Sequence, residues 1–513
     1  MKRLYRRNAF GNLLLLVVLS WPAALLAQQF QQQEEEQKEL PPVSGTYAIT
    51  NTTVTPSPGK KLEGATVVLK DGLITAVGKN VAVPPDAIVI KGDSLHVYAG
   101  FIDGLSHAGV AKPKEEQNRQ RPRDPANPSP DQAGITPDND VRHFLNPTDK
   151  SIEELRALGF TVAHTAPYGR MLPGMGAFIL LAGNSPDAMI LQSRTSLFSE
   201  LAGAQRVYPA TVIGVMAKWR ELYRQAQLSK NYQSLYDQNP AGINRPTSDR
   251  ILEAFYPVID KRMPVIFEAD RYLDVQRVLA LQSDLGFNLI LADLKEGWDA
   301  IPKIKSSGAK VFLSLDLPED KKKDDKKEKD KKAATDKNEE ASTLTPAEKE
   351  ALEKRKADAL AQYVAQASNF QKAGIPFGFS TLSTKASDIQ NNLRRIIKAG
   401  LTEDQALAAL TIQPAQLLGL SARLGTVENG KIANLVISDK PYFHEKAKVR
   451  YVFVDGKMYK YDPKAAPRPD PNAKVDITGT WTVTTTKPQG KTEETLTIKK
   501  EGESFSGSIT GGS

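Results

Sequence analysis

A chain of 513 residues exceeds what one ordinary hydrophobic core fills, so two or more domains are expected. A hydrophobic share of 40% and a charged share of 25% are those of a globular protein; the absence of cysteine excludes disulfides, thiolate metal ligands, cysteine nucleophiles and lipoprotein attachment. The formal net charge of +8 raises nucleic acid or an anionic membrane as partners, but much of it sits in a leader and a Lys-rich insert, and with no basic–aromatic motif beside it no nucleic-acid partner is expected.

Residues 1–27 read as a secretory signal peptide. Lys2, Arg3, Arg6 and Arg7 precede the apolar run LLLLVVL, and Ala23, Ala24 and Ala27 give a small-residue end. The run is too short to span a bilayer comfortably, so a periplasmic or secreted protein with no transmembrane anchor after cleavage is expected. The Gln/Glu-rich residues 28–45 form a flexible spacer. Over residues 46–94 short strands alternate with turns, and Lys70-Asp71-Gly72 is a hairpin signal. The stretch VYAGFIDGLSH, Val97 to His107, begins with β-branched and aromatic residues and ends in small and polar ones. It reads as a buried strand whose last residues emerge where a parallel α/β barrel meets substrate. Lys112 to Asp140, crowded with Pro, Gln, Arg and Asp, reads as a long loop on that same side.

Strand and helix patterns then alternate, as in a parallel sheet covered by helices. FTVAHTAP (from Phe160), GAFILLAG, DAMILQS, MPVIFEAD, FNLILADL, KVFLSLD and IPFGFST (from Ile375) complete a count of eight strands. Helices are expected near Ile152–Leu158, from about Val215, over Asp249–Asp260, over Leu273–Asp284 and around Ala300–Ser306. Residues 318–344, dominated by KKKDDKKEKDKK, read as a disordered charged insert. A helix then starts at a Thr345 cap with Pro346 in its first position. ANLVISD and VRYVFVDGKMYKY repeat the strand-and-turn style of the N-terminal flank, with Asp455-Gly456 as another hairpin turn. Isolated hairpins are marginal, so residues 46–94 and 433–462 are expected to complete one small discontinuous β-sandwich around a barrel at 95–432. After a Pro-rich linker at 463–474, residues 475–513 read as a partial antiparallel β-module with unpaired edges, and a longer protein is expected.

Two stretches carry a family resemblance. Around the first barrel strand, Gly100, Phe101, Ile102 and Asp103 match the PGFIDxHxH motif of the amidohydrolase superfamily. Ala99 replaces its proline, Leu105 stands at its first histidine and His107 at its second. In LTEDQALAALTIQPAQLLGLSARLGTVENGKIANLVISD, residues Leu424, Gly425, Gly430, Lys431, Ala433, Leu435 and Val436 resemble the closing segment of the imidazolonepropionase-like amidohydrolases, with Asn434 in place of aspartate. Together these cover about Tyr47 to Tyr461. The resemblance implies an α/β fold: a (β/α)8 TIM barrel with the β-sandwich already described. It also implies hydrolysis of non-peptide carbon–nitrogen bonds in cyclic amides or related small molecules, with water activated by divalent metal.

The same resemblance draws metal ligands from an HxH on strand one, a Lys or Glu on strand four, histidines on strands five and six, and an aspartate on strand eight. Here Leu105 cannot ligate, Glu268 stands at the strand-five histidine, strand six presents Ala292 and Asp293, and strand eight ends in Ser380-Thr381. The five histidines are His96, His107, His143, His164 and His444. His107, Glu268 and Asp293 are the candidate ligands of one divalent ion, Zn, Mn or Fe, and so oxygen-rich a set favours a harder ion. Leu105, His164 and Thr381 are further residues of the barrel mouth. The alternative has no metal: His107 and His164 are hydrogen-bonded relics, and Arg271 or Lys295 satisfies Glu268. Two functions follow, a small-molecule hydrolase or a catalytically silent ligand-binding or scaffolding unit, the latter the N-terminal unit of a longer tandem amidohydrolase. Gly174-Met175-Gly176 is a turn and not a phosphate loop, Ser380-Thr381 lacks a histidine for serine chemistry, and Trp219 and Tyr223 read as packing residues.

Overall fold

A computed structural model of the chain describes residues 45–113, 124–319, 345–461, 479–487, 490–501 and 504–511. The expected signal peptide, the expected spacer to residue 44, most of the expected charged insert and the expected linker lie outside the described residues. The chain divides into two compact units, Met1–Tyr461 and Asp462–Ser513.

The first unit opens with β1 (Tyr47–Ser57), β2 (Lys60–Lys70), β3 (Leu73–Gly78), β4 (Ile88–Lys91) and β5 (His96–Ala99). The barrel strands follow as β6 (Phe101–Ser106), β7 (Phe160–Thr165), β8 (Gly174–Leu180), β9 (Ile190–Ser199), β10 (Val265–Glu268), β11 (Leu289–Leu294), β12 (Lys310–Ser314) and β13 (Phe377–Ser380). β14 (Leu435–Ser438), β15 (Val449–Val454) and β16 (Lys457–Lys460) return to the first group. β14 pairs with β5 on one side and β15 on the other, which joins the two flanks into a single eight-stranded sheet, β16-β15-β14-β5-β1-β2-β3 with β4 on β1. Val54, Val67, Val97, Leu435 and Phe453 of this sheet share one buried cluster. The hairpin turns are two-residue loops with both central residues at positive φ, Asp71 at 51° and Gly72 at 78°, then Asp455 at 51° and Gly456 at 77°. That is the type I′ geometry that matches the twist of the flanking strands.

The barrel sheet runs β13-β12-β11-β10-β9-β8-β7-β6. β13 and β6 meet through bonds from Thr381 N and Ser380 Oγ to the Leu105 carbonyl, 3.2 and 2.9 Å, so the ring is nearly closed. Eight parallel strands were expected, and this is corrected: β8 pairs antiparallel with both β7 and β9, while all other neighbours are parallel. The connections explain it. Residues 166–173 contain no helix, and only the single turn Pro186–Met189 lies between β8 and β9, whereas a parallel crossover needs a dozen or more residues.

The outer helices are α1 (Lys150–Ala157), α2 (Val212–Gln238), α3 (Tyr272–Leu285), α4 (Ile301–Ser307), α5 (Pro346–Lys372), α6 (Ala386–Lys398), α7 (Glu403–Leu410) and α8 (Ile412–Leu417). The helix expected over Asp249–Asp260 is two single turns, Arg250–Glu253 and Tyr256–Ile259. α5 starts with a capping box in which Thr345 and Glu348 satisfy each other's backbone N–H. Trp219 and Tyr223 of α2 are buried in an aromatic group with Phe255, Phe267 and Phe287, so their packing role holds. Inside the ring, Leu105, Phe198, Ile266, Ile290 and Phe312 form a separate apolar cluster. Gly104 is needed beside it, since a Cβ there would fall 1.9 Å from the Phe312 ring. Each of these strands carries its polar end residues just beyond the apolar plug.

The second unit is a three-stranded antiparallel sheet, β17 (Gly479–Lys487), β18 (Gly490–Glu501) and β19 (Ser504–Gly511), in sequence order. Among the described residues no helix is long and apolar enough to cross a membrane.

Candidate functional site

The polar residues gather where the parallel strands end, the face on which barrel enzymes work. On β10, Glu268 is the last residue and Asp270 follows on the same face, two residues on. On β11 the ladder to β12 shifts register between Leu291 and Leu294, and Asp293 takes a positive φ of 51°. This bulge re-aims the Asp293 side chain, a local conformation that aspartate tolerates. Glu268, Asp270 and Asp293 each bring a carboxylate oxygen within 4.8 Å of the other two. Lys295 Nζ stands among them, 3.7 Å from Asp270 Oδ1, 4.0 Å from Asp293 Oδ2 and 3.0 Å from Asp316 Oδ2.

Asp293 is fully buried and accepts hydrogen bonds from Ser380 Oγ at 3.1 Å and from Ser383 Oγ. Burial nevertheless carries its carboxyl above the usual range, against the hydroxyls of Ser383 and Ser314 and the charge of Lys295. Glu268 is pushed up to about 7, by burial first and then by the charges of Asp270 and Asp293. Glu200, just past β9, is pushed up to about 8 by burial and by Glu268, with Arg170 working the other way. Lys295 stays a firm ammonium: burial disfavours its charge, but Asp316, Asp270 and Asp293 outweigh that and raise its pKa. Burial and neighbouring negative charge thus hold Glu268 and Glu200 protonated up to near neutral pH.

The histidine side, on β6 and β7, is built differently. His107 Nδ1 lies 2.8 Å from the Ala166 carbonyl. A carbonyl only accepts, so Nδ1 carries the proton and Nε2 keeps its lone pair. The ring stacks on Tyr168 at 3.8 Å, and burial lowers its pKa to about 4 despite the Ala166 bond, with Lys112 adding to the shift. It lines a cleft of about 260 Å³ shared with Lys112, Tyr168, Thr381 and Thr384. His164 is buried, and its Nε2 is bonded to Ser196 Oγ at 2.8 Å and Thr195 Oγ1 at 3.0 Å across Gly176, where a Cβ would come 3.1 Å from that nitrogen. Burial lowers its pKa to about 3. Leu105 lies in the apolar lumen. Thr381 donates from Oγ1 to Asp103 Oδ2 at 2.5 Å and from its backbone N–H to Oδ1 at 3.0 Å; burial pushes Asp103 up to about 7, with Thr381 opposing.

Of the three candidate ligands, Glu268 and Asp293 therefore come together, with Asp270 as the third member of the group, and His107 is outside it. Asp270 was legible as the next residue on the Glu268 face; Glu200 had no signal beyond following an apolar run. Arg271 turns to Asp274 at 3.4 Å. The residues present do not fit the metal centre of the superfamily. Leu105 is buried apolar, His164 Nε2 is taken by two hydroxyls, the strand-eight position is a threonine, and an ammonium already pairs with two of the three carboxylates. The all-oxygen group that remains could suit only a hard cation, in the ground Lys295 now shares.

The amidohydrolase family model matches residues 288–459. No curated protein matches the chain. An amidohydrolase from Thermotoga maritima is 20% identical, over 81% of this chain and 100% of that one, with a TM-score of 0.64. A prolidase complexed with N-methylphosphonate-L-proline is 18% identical over 81% and 100%, at a TM-score of 0.45. An adenosine deaminase from Xanthomonas campestris with bound zinc is 13% identical over 80% and 92%, at 0.37, and these last two scores add nothing to the argument. The match to the amidohydrolase family model spans residues 288–459, and the likeness to the Thermotoga maritima structure is one of fold.

Proposed function

We propose that the chain is a hydrolase of the amidohydrolase type, acting on the carbon–nitrogen bond of a small cyclic amide or a related molecule, with carboxyl groups in the place of metal-activated water. The observation that carries this reading is the convergence of Glu268, Asp270 and Asp293 at the ends of neighbouring barrel strands. A carboxyl raised to about 7, as Glu268 is, can work with a second one as pairs do in other hydrolases: one ionised, one protonated. The ionised group takes a proton from water as its oxygen adds to the carbonyl carbon; the protonated group gives its proton to the leaving nitrogen as the carbon–nitrogen bond breaks. The turn after β13 serves both sides of the mouth, since Ser383 holds Asp293 while Thr381 and Thr384 line the cleft beside His107, which supports a small molecule as the bound partner. The leader supports a periplasmic or secreted location, and we propose a second amidohydrolase unit in a longer protein as the natural partner.

A second reading, binding without turnover, is favoured by one observation: Lys295 ties up Asp316, Asp270 and Asp293 together. One experiment separates the two. Purified protein in EDTA is incubated with hydantoins, imidazolones and lactams. Hydrolysis that rises as pH passes about 7 and is abolished in Glu268→Gln is expected. A thermal shift without ring opening would select the second reading, and neither response to any compound would overturn both.

A further inference from the structure

We infer that the Lys295 ammonium is the resident cation of this site, and that removing it would turn the carboxylate group into a site for a hard divalent cation. Among the described residues, the ion pairs made by Asp270, Asp293 and Asp316 all go to Lys295 Nζ, at 3.7, 4.0 and 3.0 Å. Arg271, the other nearby cation in the sequence, is drawn away to Asp274. The Lys295 side chain is 18% exposed and Asp293 is fully buried, so solvent screens this pair little. One positive charge faces four carboxyls, Glu268 included, and leaves negative charge to spare.

Geometry says what would replace the ammonium. Two oxygens on one cation at bond lengths of roughly 2.0–2.6 Å lie no more than about 5 Å apart. The oxygens of Glu268, Asp270 and Asp293 lie within 4.8 Å of one another, so they already meet that limit. An ammonium needs longer contacts than a metal ion and sits off centre, nearest to Asp316, outside this trio. It opposes a metal by its charge. Asp270 Oδ1 is buried with no hydrogen bond, only the distant Lys295 contact, which leaves it open to a closer cation.

The inference concerns the same residues as the proposed hydrolysis, but its readout is metal binding, so either can fail without the other. Manganese is titrated into the full chain and free Mn(II) is followed by electron paramagnetic resonance, with circular dichroism reporting the fold. Wild type and Lys295→Arg should bind no equivalent in the millimolar range. Lys295→Met should bind one, at least tenfold more tightly, and the gain should vanish when Asp293→Asn is added. Folding of Lys295→Met only with added Mn(II) also supports the inference. A folded Lys295→Met that binds none overturns it. If that variant never folds, the wild type decides: one equivalent bound and lost in Glu268→Gln contradicts the assignment, and none bound upholds it.

Discussion

On the β6–β7 side of the barrel mouth, His107 and His164 are neutral imidazoles, tied to a backbone carbonyl and to two hydroxyls, with burial taking their pKa values to about 4 and 3. On the β10–β11 side, burial first and then like-charged neighbours raise Glu268 to about 7 and neighbouring Glu200 to about 8. Burial suppresses charge on both sides, lowering the imidazole pKa values and raising the carboxyl ones. A histidine held neutral far below its ordinary range has no proton to exchange near pH 7, whereas a carboxyl raised to that range does. The family resemblance draws attention to the histidines, but the groups with pKa values near neutrality are carboxyls.

The largest expected effect strikes both sides alike. Phe312 belongs to the apolar plug beneath them, and Phe312→Ala should cost about 3–5 kcal/mol in urea unfolding. A cost near zero would mean the lumen supports neither side. The next pair should separate the two sides by sign. His164→Ala strands the buried Ser196 hydroxyl and should destabilise by about 1–3 kcal/mol. Glu268→Gln removes a crowded charge and should be neutral or stabilising by up to about 1 kcal/mol, as is common where a functional site holds strain. Equal losses in both variants would break the contrast.

The pH dependence sharpens it further. Carboxyls raised on folding contribute stability that is complete below their unfolded values near 4 and lost as pH rises through about 7 for Glu268 and Asp103 and about 8 for Glu200. Histidines lowered on folding act in reverse: their contribution is complete above about 6.5 and lost as pH falls through about 4 and 3. Urea midpoints of wild type should therefore decline between pH 6 and 8.5, and Glu268→Gln should flatten that decline while leaving the acid-side loss intact. The smallest effect is reserved for Arg271, which pairs with Asp274 while its own side chain is 70% exposed. Arg271→Ala should change stability by less than about 0.5 kcal/mol and leave the acid cluster undisturbed.

Much of the frame was legible because local chemistry encodes it. Asp71-Gly72 and Asp455-Gly456 specify their turns through positive φ, and the Thr345–Glu348 box announces its helix. Strand direction was not legible from the apolar run GAFILLAG, which reads the same either way; only the short, helix-free segment 166–173 carried that information. The site divides in the same manner. Glu268 and Asp293 could be singled out because they stand at recognisable strand ends, but their grouping with Asp270 depends on a bulge at Asp293 that no pattern announces. Lys295 could be named as a partner from its proximity in sequence, yet its reach to Asp316 on the next strand end belongs to the folded barrel.

The most direct test is a carbon-13 and nitrogen-15 NMR titration of the wild-type chain in EDTA, with Glu268 assigned through Glu268→Gln and His107 through His107→Gln. The account predicts a Glu268 carboxyl titrating near pH 7 and a His107 imidazole that stays neutral until about pH 4. A Glu268 that titrates with ordinary glutamates near 4.3, beside a histidine that protonates near 6.5, would contradict it.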